Sequence, residues 1–320
     1  MSGSDHDNSP PPHSPPRWLL PVGALACAIA WGSAFPGVKF LYRTSAEIGL
    51  EVTISLGLLL AGVRFTIAGL MLIPLSKNLT ASLRRAPWKT LLLFGALQTY
   101  LQYVLFYISM NYASGTLGSL LTVSGNFFWV ILSPLLLKSP WPRPVQWILL
   151  AVGACGVVWA VAAPGAGAGR PVIGALFFLG ATFSGALALI VLQSLRKHIP
   201  TNNATCLSLL GGGIALLLTA FPAWGQFTFL FGNHDVLYAT LYLAGVSALG
   251  FSVWNYLTTL FAVNVLAAYR FVIPIAGIIL STIFIPGESP GAGIYGGGAL
   301  VILAVIGLQQ YQIRPVAGVR

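Results

Sequence analysis

Charged residues are scarce in this chain of 320 residues, since Asp, Glu, Lys and Arg together make up only 7% of it. A soluble domain carries roughly a quarter charged residues, and so few cannot cover a surface exposed to water. The composition therefore excludes an ordinary soluble fold. Hydrophobic residues account for 57% and the mean hydropathy is +0.85, values that only a lipid environment tolerates. We expect an all-α integral membrane protein.

Reactive groups are also missing. The 6 acidic residues all fall outside the predicted spans, which argues against a carboxylate proton relay in the bilayer. No phosphate-binding loop, metal-ligand cluster or Ser-His-Asp arrangement is apparent, so we predict no enzyme activity and no cofactor. The 3 cysteines, Cys27, Cys155 and Cys206, lie in apolar stretches and are interpreted as packing residues. The net charge of +10 is attributed to basic cytoplasmic loops rather than to nucleic-acid binding.

Long apolar runs separated by polar or Pro/Gly-rich breaks predict ten transmembrane helices. Two of the breaks, 109–115 and 258–264, contain no charge. They are placed there because an uninterrupted helix would be much longer than the bilayer is thick. The predicted helices cover 18–41, 53–75, 88–109, 113–134, 145–163, 171–194, 203–223, 236–257, 261–285 and 291–312.

Basic residues orient these helices, because cytoplasmic loops are enriched in Lys and Arg. With both termini in the cytoplasm, three basic residues lie outside: Lys39, Arg43 and Arg170. Eleven lie inside: Arg17, Lys77, Arg84, Arg85, Lys89, Lys138, Arg143, Arg196, Lys197, Arg314 and Arg320. We therefore predict a multi-pass protein of the cell (inner) membrane with cytoplasmic N- and C-termini.

An internal repeat divides the chain. A shift of 148 residues places Val130–Ser133 on Ile278–Ser281, within the fourth and ninth predicted helices. Because each half holds five helices, the second half would enter the membrane inverted, an arrangement typical of secondary transporters. The predicted organisation is a disordered tail at 1–17, two inverted five-helix repeats at 18–163 and 171–312, and a short tail at 313–320.

Several motifs resemble a known family. Trp31–Lys39, Leu60–Ala68, Val253–Tyr256 and Phe284–Glu288 stand in the order and spacing of the helix signatures of EamA-type transporters of the drug/metabolite transporter superfamily. The resemblance covers about residues 18–312. It implies ten helices and the transport of small metabolites such as amino acids, without identifying the substrate.

The chain departs from this family pattern at one turn. EamA-type proteins usually carry an acidic residue after the fourth helix as well as after the ninth, where Glu288 stands here. The repeat position of Glu288 is occupied by Pro140. A symmetric role for the glutamate is therefore in doubt.

A polar stripe follows one face of the fourth helix, at steps of three and four residues. Packing through small and hydroxyl residues is the alternative to a role in lining a cavity. The stripe is Ser119, Thr122, Asn126, Trp129 and Ser133, with repeat equivalents Ala267, Arg270, Pro274, Gly277 and Ser281.

Two arginines, Arg64 and Arg270, fall within predicted helices, where each costs about 2.5–3.5 kcal/mol and needs a partner. The acids on the same segments are too far along the helix, which leaves backbone carbonyls, water or an anionic group of a substrate. A purely structural role is an equal alternative for Arg64. A functional role is favoured for Arg270, because it belongs to the stripe.

Other polar and aromatic residues complete a candidate pocket of apolar walls with a few polar groups. On the third helix, Gln98 and Gln102 are predicted on one face and Tyr103 on another. Packing is the alternative for each residue taken singly. The substrate-binding candidates are Trp31, Ser33, Arg64, Gln98, Gln102, Tyr103, Ser119, Thr122, Asn126, Trp129, Trp254, Asn255 and Arg270.

These observations predict an exporter or facilitator that moves a zwitterionic or anionic metabolite by alternating access through a site between the repeats. A membrane-embedded lipid-modifying enzyme and a non-transporting assembly protein are the alternatives. The expected partners are the lipid bilayer and a small metabolite, and not nucleic acid. The sequence leaves open whether the chain forms a homodimer.

Overall fold

The computed structural model describes residues 16, 18–137, 141–164, 170–261, 266, 269–270 and 272–313. Of the predicted tails at 1–17 and 313–320, only residues 16 and 313 are described, and the repeat positions Ala267 and Pro140 also lie outside the described residues.

The described chain is helical. Eight of its helices are long and apolar enough to cross a membrane, and two shorter apolar helices follow near the C-terminal end. In chain order the helices are α1 (Leu19–Glu47), α2 (Ile54–Leu72), α3 (Leu79–Arg85), α4 (Trp88–Tyr112), α5 (Gly115–Leu121), α6 (Ser124–Leu137), α7 (Pro144–Ala162), α8 (Pro171–Leu195), α9 (Thr201–Thr219), α10 (Phe227–Gly232), α11 (His234–Leu260), α12 (Val272–Phe284) and α13 (Ala292–Ile313). The helices α5 and α6 together form one of the eight, and α12 and α13 contain the two shorter apolar helices.

Two helices extend beyond the predicted spans far enough to include an acidic residue. Helix α1 continues past residue 41 to Glu47, whose carboxylate pairs with Arg43 one turn earlier at 2.6 Å. Helix α11 begins at His234, so Asp235 lies in its first turn. Both acids thus lie at helix ends, where a carboxylate can reach the aqueous boundary.

The uncharged break predicted at 109–115 is a short turn between α4 and α5. The Ser114 hydroxyl accepts a hydrogen bond from the Leu117 amide at 3.1 Å, which caps α5. Lys39 donates to the Met110 carbonyl at 2.7 Å, and the Glu288 carboxylate accepts from the first amides of α5. The C-terminal end of α4 thus receives a positive charge and the N-terminal end of α5 a negative one, as their dipoles favour. Both charges come from residues distant in sequence.

Two irregularities interrupt the regular helical period near the middle of the chain's first half. Residues Ala96–Leu101 of α4 form a π-helical segment. Between α5 and α6, the amides of Thr122 and Val123 bond three residues back, to Ser119 and Leu120, as in a tighter 3₁₀ turn. Each irregularity rotates the side chains that follow it relative to a straight α-helix.

Helix packing is symmetric between the two halves of the chain. Helix α2 packs on α9, α5 on α12, and α7 on α13. The contact of α1 with α11 has its counterpart in α4 with α8, and that of α2 with α11 in α4 with α9. Contact of α1 with α12 is likewise matched by α6 with α8. These contacts are reproduced when α1, α2, α4, α5–α6 and α7 are exchanged with α8, α9, α11, α12 and α13.

Candidate functional site

A cavity of about 140 Å³ lies among the helices of both halves. Helices α1, α2, α4, α6, α8 and α11 contribute side chains, together with the segment that leads into α12. Its wall combines aromatic rings with a few polar groups. This is the composition expected of a pocket for a small solute.

Nine of the thirteen candidate residues lie together on this cavity. They come from five of the long helices and from the segment before α12. These nine are Trp31, Arg64, Gln98, Gln102, Tyr103, Thr122, Trp254, Asn255 and Arg270.

Ser33, Ser119, Asn126 and Trp129 do not line the cavity. The Ser33 hydroxyl bonds to the Tyr242 hydroxyl and to its own helix. Ser119 is fully buried in the contact between α5 and α12, where a Cβ added to Gly277 would collide with it. The stripe prediction assumed one straight helix, and the turn at Thr122–Val123 rotates α6 away from that register.

Arg64 is held by the protein itself. It is 2% exposed, and its Nε donates to the Ser247 hydroxyl of α11 at 2.9 Å. Its Nη1 donates to the Tyr107 hydroxyl at 3.4 Å, and the guanidinium lies 4.8 Å from the centre of the Phe65 ring. These contacts replace water around the buried charge and join three helices, α2, α4 and α11.

Arg270 has no such partners in the described part of the chain. No hydrogen bond or ion pair to its guanidinium occurs there, and it lies on the cavity wall beside Gly125. A Cβ built on Gly125 would stand 3.8 Å from Nη2 of Arg270. The guanidinium thus lies in van der Waals range of this glycine. A half-buried cation without a protein partner is the group most able to bind an anionic solute.

An offset of 148 residues relates Thr122 to Arg270 and Gly125 to Ile273. These four residues all line the cavity.

Aromatic rings form two groups on the wall. Trp31 packs edge-on against Phe251 at 5.5 Å between ring centres and beside Trp254 at 5.3 Å. Phe106 contacts Phe178 at 5.5 Å and Tyr103 at 5.6 Å in the second group. Such flat apolar surfaces suit a solute with an apolar body.

The two faces predicted for α4 merge into one at the cavity. Gln98 and Gln102 line the wall together with Tyr103 and Phe106. The π-helical segment that ends at Leu101 widens the helix by one residue per turn, and this changes which side chains share a face. A regular 3.6-residue period could not predict this arrangement.

Two side-chain amides of the cavity wall form hydrogen bonds to a neighbouring helix. Gln98 donates through its side-chain nitrogen to Ser208 at 3.4 Å, and Asn255 donates to Thr205. Both hydroxyls belong to α9. The nitrogens are thus directed to a neighbouring helix, and the side-chain carbonyl oxygens remain as acceptors.

Helix α8 was missed as a contributor. The predicted repeat was the available signal, because it makes α8 the counterpart of α1, whose residues were included. Its lining residues are mostly small or apolar, so no polar motif marked them. They are Phe178, Ala181, Thr182, Gly185, Ala186 and Leu189.

Known proteins resemble this chain over most of its length. The model of the EamA-like transporter family matches residues 18–162 and 172–309. The chain is 29% identical over 236 residues to the uncharacterized transporter YvbV of Bacillus subtilis (strain 168), covering 71% of this chain and 74% of that one. A solved crystal structure shares the fold with a TM-score of 0.60 at 16% identity, over 93% of this chain and 100% of the other.

The family match includes each of the sequence motifs quoted above, and the expected resemblance is confirmed. The membrane-length helices and the matched relative agree with a multi-pass membrane transporter of small solutes. The chain belongs to the EamA-like transporter family.

Proposed function

We propose that the chain is a secondary transporter or facilitator that moves a small zwitterionic or anionic metabolite through the central cavity. One observation carries the proposal: residues of both halves enclose a cavity around Arg270, whose guanidinium has no partner within the described chain. The nine lining candidates are proposed as the substrate-binding set. A lipid-modifying enzyme or an assembly protein has no comparable support from the site or from the family.

The proposed architecture is ten spans in two inverted repeats, 18–163 and 171–312. The protein lies in the cell (inner) membrane with both termini in the cytoplasm. The exchange symmetry of helix neighbours supports the repeat, as do the pairs Thr122 with Arg270 and Gly125 with Ile273, which share the offset of 148 residues and line the same cavity. An odd number of spans in each half requires the halves to have opposite orientations.

Alternating access would occur by movement of one half against the other. Several side-chain hydrogen bonds join the two halves near the cavity, and one of them runs from Arg64 of α2 in the first half to Ser247 in the second. A hydrogen bond between two neutral or singly charged groups is weak enough to form and break during a transport cycle. We propose that it stabilises one of the two access states.

Reconstitution into proteoliposomes tests the proposed function. Vesicles containing the protein should exchange at least one solute of a panel of amino acids, organic acids and amines faster than empty vesicles. Arg270→Ala should reduce that exchange by about tenfold or more, the effect of losing one charge-assisted hydrogen bond. Arg170→Ala, outside the cavity, is the matched control and should exchange at the parent rate. If no solute exchanges, the proposed function is wrong.

A further inference from the structure

The charges on the cavity wall all have one sign. Arg64 and Arg270 are its ionisable cations, and none of the described lining residues is Asp or Glu. A cationic solute would be repelled by both guanidinium groups in a medium of low dielectric constant. An anionic group is therefore the favoured occupant.

The two arginines do not compete for that anion. Arg64 already donates to Ser247 and Tyr107 and lies against aromatic rings, so its charge is solvated by the protein. Arg270 has its donors free towards the cavity, within the limits of the described chain. One anion-binding position, at Arg270, results.

Ile273, three residues after Arg270, lines the cavity as well and contributes apolar surface to the wall.

The remainder of the wall selects the body of the solute. Rings from the two aromatic groups face a space of about 140 Å³. A protein cavity of about 150 Å³ holds one benzene molecule. One aromatic ring therefore matches both the volume and the surface, and the cavity is partly open, which leaves room for a short acidic side arm.

An ammonium group would find no matching charge. The acceptors available to it are neutral, such as the side-chain oxygens of Gln98 and Asn255. Neutral oxygens can accept a hydrogen bond from a hydroxyl or ring N–H group, but they do not compensate a full positive charge beside two arginines.

We infer that the cavity selects a single-ring aromatic organic anion that carries no ammonium group, in preference to amino acids and amines. This inference rests on the proposed function and specifies its substrate class. The oxyanion of the solute contacts Arg270, and its ring lies between the two aromatic groups.

Solutes that share one skeleton test the inference. Binding to the purified protein in lipid nanodiscs is measured calorimetrically for 3-phenylpropanoate, L-phenylalanine and 3-phenylpropylamine, which are respectively an anion, a zwitterion and a cation. 3-Phenylpropane-1-sulfonate is added because it stays charged and does not leak through lipid. Both anions should bind about ten- to hundredfold more tightly than phenylalanine, with no binding of the amine.

Variants separate the anion site from a general loss of structure. Arg270→Gln should remove the preference for the anions, Arg270→Lys should keep part of it, and Arg43→Gln should leave it unchanged. Thermal unfolding of each variant shows whether it is folded. The inference is overturned if phenylalanine or the amine binds as tightly as the anions, if none of the solutes binds, or if folded Arg270→Gln keeps the preference.

Transport measurements distinguish a failure of the inferred substrate class from a failure of the proposed function. Exchange of amino acids or amines in proteoliposomes, without exchange of the sulfonate, would leave the proposed function standing and overturn the inferred substrate class. Tight binding of the anions without exchange of any solute would support the anion site and contradict the proposed function.

Discussion

Arg64 is buried and Arg270 is half-buried, and the protein satisfies only the first. Arg64→Ala removes hydrogen bonds to Ser247 and Tyr107 and leaves both hydroxyls without this donor. We expect a loss of about 1–3 kcal/mol in the free energy of unfolding. Arg270→Ala removes no described partner and should leave the unfolding temperature in detergent unchanged or higher, because an uncompensated half-buried charge is lost. Equal destabilisation by the two variants would contradict this division.

Glu288 shows how a single side chain can stabilise a distant helix. Its two carboxylate oxygens accept from the amides of Gly115 at 2.6 Å and Thr116 at 3.1 Å, across the two halves of the chain. We expect Glu288→Ala to destabilise the protein by about 0.5–2 kcal/mol, the usual range for a lost helix cap. Thermal unfolding in detergent measures the loss, and Glu47→Ala, whose ion pair is exposed, is the control with little effect. The family's acidic turn thus caps α5 in this chain.

At the scale of helices, close contact between α2 and α9 depends on individual glycines. A Cβ added to Gly213 would stand 2.5 Å from the Thr66 amide nitrogen, and backbone cannot move aside easily. We expect Gly213→Ala to cost about 1–3 kcal/mol of stability. Gly211→Ala, where nothing lies within 4 Å, should be neutral or stabilising by up to about 1 kcal/mol through helix propensity.

Thermal unfolding of the two alanine variants, measured side by side in the same detergent, checks this contrast. If Gly211→Ala and Gly213→Ala behave alike, the three consecutive glycines of α9 serve to soften the helix rather than to allow close packing. The structure assigns close packing to Gly212 and Gly213 and leaves Gly211 on the exposed face.

At the scale of the whole molecule, the predicted orientation places the end of α1 and the connection between α8 and α9 on opposite sides of the membrane. Arg43 and Arg196 mark these two places and are exposed. In a Cys155→Ser background, a membrane-impermeant maleimide should label Arg43→Cys in intact cells and Arg196→Cys only in inverted vesicles. Labelling of both from one side would contradict the predicted topology.

The sequence by itself determined the environment and the elements of this protein. Scarcity of charge required a lipid solvent, and apolar runs of about 20 residues located the long helices to within a few residues. The repeat and the two arginines without acids nearby were also visible, because they depend only on residue type and spacing. Those signals are local or periodic, so they can be recognised without knowing how the helices pack.

Only the tertiary structure decided which candidates share the cavity. The π-helical segment in α4 and the turn at Thr122–Val123 break the helical period, so Tyr103 joins the cavity while Ser119 and Asn126 leave it. The partners that distinguish Arg64 from Arg270 are equally invisible in the sequence, since Ser247 stands 183 positions from Arg64. Contacts between distant segments determine whether a buried charge is satisfied by the protein or left for a solute.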